Sequence, residues 1–145
     1  SVVVAALRSS RGASRLLLEA VLDGAAQVLI SVPLVLEYEA VLTRRDQLVA
    51  IGLSSAEIGQ ILDALVSVAM HVQFRFLWRP QLNDPADEMV LETAVNGQAD
   101  RIVTFNARDF AAADGFGIAV VTPQQALKEI SRRKRGASER NVKRN

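Results

Sequence analysis

Short apolar runs of strand length alternate along this chain with stretches of helix length, and no other feature constrains its fold more. Residues 27–31 (QVLIS), 71–74 (HVQF), 101–104 (RIVT) and 118–121 (IAVV) are the strand-length runs. Helix-length stretches lie at residues 12–22, 33–44, 54–70 and 84–96, and a shorter one at 122–130. Parallel strands need a crossover between them, and a helix is the usual crossover. The alternation therefore predicts a parallel sheet covered by helices on both faces. In such sheets a site forms where strands end and loops lead into helices. Residues 1–7 (SVVVAAL) read as one more strand on β propensity alone.

Local punctuation sharpens the helices. Ser54 followed three residues later by Glu57 is a capping box. Pro33 suits a first helical turn, and Gly24 suits a helix end. Asp84 or Asn83 can cap the helix that Pro85 opens.

The 145 residues suffice for one domain with a sizeable core. Half are hydrophobic, yet no apolar run approaches the roughly 18 residues a membrane helix needs. The most apolar window, 28–36, is broken by Ser31 and Pro33. The expectation is a soluble protein with no membrane partner. No secretory signal is recognisable, and the cytoplasm is the default location. The chain has no cysteine, which excludes disulfides and thiolate zinc sites.

The net charge of +1 hides an asymmetry. Residues 128–145 hold eight Lys or Arg and two Glu, a balance of +6. The preceding 127 residues hold nine basic and fourteen acidic groups, a balance of −5. The expected organisation is an acidic domain over 1–127, then the end of the last helix and a basic, disordered tail over 128–145. Such a tail can also attract nucleic acid.

Most catalytic chemistries lack their residues here. His71 is the only histidine, and neither GxGxxG nor a P-loop is present. Carboxylates remain. Asp84, Asp87 and Glu88 open one helix, where acids also serve simply as caps and dipole partners. Asp87 lies about one turn from both Asp84 and Val90, so it borders the packed face. Asn106 and Asp109 follow the strand ending at Thr104, where turn chemistry is the plain alternative. Glu37 and Glu39 interrupt an apolar helix. Each lies roughly 40° from one apolar neighbour and roughly 60° from another, so the helical wheel does not choose between them. Acids converging from separate segments repel unless a cation neutralises them. Oxygen-only ligation suits Mg²⁺ or Mn²⁺, and such an ion can activate water against a phosphodiester.

The order LxxEYExVL at 34–42, DPADExxLxxAVxxxADxIVTFNxRDF at 84–110 and GIAVVTPxxAL at 117–127 resembles the PIN-domain family. The likeness is closest to its bacterial branch of toxins from toxin–antitoxin pairs (VapC-like), and it covers nearly all of residues 1–127. It implies a PIN-like three-layer α/β/α sandwich with a central parallel sheet. It also implies an RNA substrate, Mg²⁺ or Mn²⁺, a cognate antitoxin partner and, commonly, a homodimer. By position, Glu37 rather than Glu39 resembles the family's second acid, Asp87 the third and Asn106 the fourth. Asp109 stands near enough to substitute or assist. Thr104 matches a threonine that orders the site loop, and Asp84 supports it. The family's first acid ends a first strand whose last triplet would reach Ser1 here. The expectation is therefore a domain that is N-terminally incomplete in this sequence and lacks its central first strand. Residues 2–7 then begin the first helix rather than form a strand. A non-catalytic PIN-like module binding RNA or protein is the alternative.

Overall fold

The computed structural model describes residues 1–75 and 82–144. Val2–Arg8 forms helix α1 and Ala13–Leu22 forms helix α2. The strand expected over 1–7 from propensity is not formed, and the helix implied by the family resemblance is. Each valine costs only about 0.7 kcal/mol of helix propensity at most. Packing outweighs that. Ala6 and Leu7 are buried, and Val3 and Val4 pack against Leu42, Ile58 and Leu62.

Strand β1 (Leu29–Ile30) leads into helix α3 (Val32–Leu42), with Pro33 in its first turn. Helix α4 (Arg45–Ile51) follows, then α5 (Ser55–Val68), which opens on the expected capping box. The Glu57 N–H donates to Ser54 Oγ at 3.1 Å, and the Ser54 N–H donates to Glu57 Oε1 at 3.2 Å. Strand β2 (Met70–His71) comes next. Helix α6 (Pro85–Asn96), strand β3 (Arg101–Val103), a 3₁₀ segment (Ala107–Phe116), strand β4 (Ala119–Val121) and helix α7 (Pro123–Arg144) complete the order. The α/β reading holds, but the strands are two or three residues long.

All strand pairing among the described residues is parallel, as the alternation predicts. β1 pairs with β2, aligning Leu29 with Met70, and β3 pairs with β4, aligning Ile102 with Val120. The two pairs do not join among the described residues. Between them lies an apolar gap of about 560 Å³. Leu29 and Ile30 line it from one sheet and Ile102 and Val103 from the other, with Leu17 and Leu34 among its helical walls. Helix α2 packs on α1 and α7, and α3 packs on α5 and α6, which gives the α/β/α layering.

In the basic C-terminal segment, expected to leave the helix near residue 130, α7 continues to Arg144, and Asn145 lies outside the described residues. The local chemistry permits this. Residues 131–144 are rich in good helix formers, contain no proline, and place Glu139 four residues before Lys143. Ala126 and Ile130 anchor the helix against Leu17, and Arg101 Nε pairs with Glu129 Oε2 at 3.2 Å. Among the described residues no single helix is long and apolar enough to cross a membrane.

Candidate active site

The site grows from the start of α6. Pro85 has no N–H to leave unsatisfied, and Asp84 supplies the cap. Asp84 Oδ1 accepts the Ala86 N–H at 2.8 Å and the Asp87 N–H at 3.4 Å. The capping alternative for Asp84 is therefore real, and it fixes the backbone that carries Asp87.

Asp87 is half-buried in the first helical turn. Its carboxyl is held above the usual carboxylate range. Burial contributes most, followed by the negative charges of Asp84 and Asp109, while the Ser1 ammonium pulls the other way. The fold thus brings Asp109, far along the chain, beside the α6 acids. Asp84, Asp87 and Asp109 line a cleft of about 360 Å³ together with Asn83, Leu82 and Arg108.

The β3 end positions the other wall. Thr104 Oγ1 accepts the Asn106 N–H at 3.1 Å, and Asn106 O accepts the Asp109 N–H at 3.1 Å. These two bonds fold residues 104–109 into a tight turn that presents Asp109.

Two expected site residues stand apart. Asn106 is exposed and Glu37 is half-buried in the second turn of α3, and neither lines this cleft. Among the described residues, no three His, Cys, Asp or Glu side chains stand close enough together to grip one ion. The donor chemistry still suits a hard divalent cation. Three carboxylates crowd one cleft, and the raised Asp87 carboxyl is the group whose charge a cation would restore.

Glu88 does more than decorate the helix start. It is 5 % exposed, and its Oε2 accepts the Leu82 N–H at 2.7 Å, tying the segment before α6 to the helix. Ser31, at the α3 N-cap position, makes no cap bond. Its hydroxyl instead meets Thr93 Oγ1 at 2.7 Å in a buried pair. Thr93 already donates to the Met89 carbonyl at 2.7 Å, so Ser31 is the donor. This bond locks α3 to α6. Arg108 was not anticipated. Its position one residue before Asp109 was the available signal.

Acids from the start of α6 and from the turn after β3 thus meet in one cleft of this parallel α/β fold. A family model described as PIN domain matches residues 1–108, and the chain belongs to the PIN-domain family. PIN domains are generally nucleases and typically depend on divalent metal. No curated protein and no solved structure matches the chain.

Proposed function

We propose that this protein is a Mg²⁺- or Mn²⁺-dependent endoribonuclease and the toxin component of a toxin–antitoxin pair, with a cognate antitoxin protein as its partner. One observation supports the reading above others: Asp87 sits half-buried with Asp84 and Asp109 near enough to raise its pKa. Asp87 and Asp109, which line the cleft, would hold the metal, while Glu37 and Asn106 stand outside it and take no ligand role. When bound, the ion supplies an activated water and positive charge beside the phosphodiester. Asp84 acts through Asp87, holding the first turn of α6 in place. Thr104 acts through Asn106, fixing the turn that aims Asp109.

The test is cleavage of a mixed single-stranded RNA with Mn²⁺ by the parent chain, by Asp87→Asn, and by the parent with a chelator. Cleavage by the parent alone supports the reading. Equal cleavage by Asp87→Asn overturns it.

A second reading, a non-catalytic RNA-binding module, draws on a different observation. Glu37 stands outside the cleft, while α7 carries an exposed basic surface. RNA binding that persists in EDTA, with no cleavage under any metal, would favour this module.

A further inference from the structure

Phe105 is 53 % exposed and is the one exposed aromatic side chain among the described residues. Its place is unusual for a bulky apolar group. It lies between Thr104 and Asn106, in the turn leaving β3. The turn is held by the Thr104 hydroxyl on the Asn106 N–H and by the Asn106 carbonyl on the Asp109 N–H. The turn is thus fixed by bonds in which the Phe105 ring takes no part. Three residues on, Arg108 lines the acidic cleft beside Asp109.

One tight loop therefore carries a free aromatic face, a cation and a carboxylate of the site. An aromatic face stacks on any exposed base, and a guanidinium pairs with phosphate. Together they are what a single strand needs and a stacked duplex cannot use. We propose that Phe105 is the base-stacking residue of this site, holding the unstacked base of a nucleotide that flanks the phosphate at the Asp87–Asp109 cleft. Stacking of this kind is sequence-tolerant, so Phe105 selects single strands over duplexes rather than one base over another. The inference rests on RNA as the substrate proposed above, but not on catalysis.

The experiment measures binding in EDTA, where no metal-dependent cleavage occurs. The probe is a single-stranded RNA oligonucleotide containing 2-aminopurine, with a blunt RNA duplex as control. Parent, Phe105→Ala and Phe105→Trp are compared. Phe105→Ala should weaken single-strand binding about tenfold and abolish the 2-aminopurine quenching. Phe105→Trp should restore both. Duplex affinity and Tm should not change in either variant. Single-strand affinity within twofold of the parent in Phe105→Ala, equal losses on duplex, or no single-strand binding by the parent each overturns the assignment. Quenching through Phe105 without Mn²⁺-dependent cleavage would sink the nuclease reading alone.

Discussion

Two hollows among the described residues differ in everything but location within one small fold. The larger, about 560 Å³, separates the two strand pairs and is walled by side chains such as Leu17, Leu34 and Ile102. The smaller, about 360 Å³, is walled by Asp84, Asp87, Asp109 and Arg108. Size does not mark the chemistry. The gap is a matter of packing, and its walls contribute stability. The cleft is a matter of charge: Asp84 stabilises α6 as its cap, while Asp87, crowded by like charges, lowers stability as long as it stands unneutralised. Substitutions at Ile102 and at Asp87 should therefore move stability in opposite directions.

The largest effect should come from the gap wall. Ile102 is 3 % exposed and packs with Leu91, Ala94 and Phe110. Ile102→Ala should cost about 2–5 kcal/mol in urea denaturation. A loss under about 1 kcal/mol would mean the strand pairs are too loosely packed for the wall to matter.

Gly97 should be next. A Cβ there would meet Val72 Cγ2 at 2.6 Å, Leu29 Cδ1 at 2.8 Å and the Thr93 carbonyl at 3.0 Å. Its φ of −91° suits any residue, so the need for glycine is one of space. Gly97→Ala should cost about 1–3 kcal/mol despite alanine's better helix propensity. Unchanged stability would show that β1 and β2 can move away from the end of α6.

Asp87→Asn tests the cleft and should act with the opposite sign. The Asp87 carboxyl is raised in the folded protein, so the folded state binds its proton more tightly than the unfolded chain. Its contribution favours folding at low pH. That contribution falls away as pH rises from the ordinary carboxylate range through the raised folded value, and is flat above it. Asp87→Asn should remove this slope and raise the metal-free Tm at neutral pH by about a degree or two. Mn²⁺ should raise the Tm of the parent more than that of the variant. A variant that melts lower than the parent without metal would show the carboxylate to be held by favourable bonds instead.

The smallest effect on stability should come from removing residues 131–145. The described residues of this segment are exposed apart from Gly136, so Tm should stay within about a degree. RNA affinity is where the deletion should appear. If the basic helix contacts phosphate, the parent's log–log salt slope should shrink by roughly 0.7 for each lost cation contact on a single strand. An unchanged slope would assign RNA binding to the body of the domain.

Local signals carried much of the fold to the surface of the sequence. The Ser54–Glu57 box and the Asp84–Pro85 start are written in neighbouring residues, and both helices begin there. Strand positions were legible because β3 and β4 are short apolar runs between turns. Helix α4 was not foreseen: it has seven residues and no side-chain cap bond. Residues 1–7 misled because valine's strand preference is weaker than the packing of Val3, Val4 and Leu7. In the tail two signals compete: its charge suggests disorder while its Arg, Lys and Ala content suggests helix.

For the site, spacing on α6 singled out Asp87. Its nearness to Asp109 is a tertiary fact that no local pattern encodes. The role of Glu88 was hidden for the same reason, since its partner is the Leu82 amide outside the helix.

Helix α7 gives the molecule two electrical poles. It starts just past the end of β4, near the acidic cleft, and its Glu129 pairs with Arg101 at the opposite end of the strands. At 1.5 Å per residue its 22 residues span roughly 33 Å, so Arg140 and Lys143 stand roughly 25–30 Å from the helix start. That distance is about three times the ~8 Å over which charges are felt at physiological ionic strength. Neither pole cancels the other in solution. A polyanion is therefore drawn first to the distal end of α7, so the protein has a preferred direction of approach.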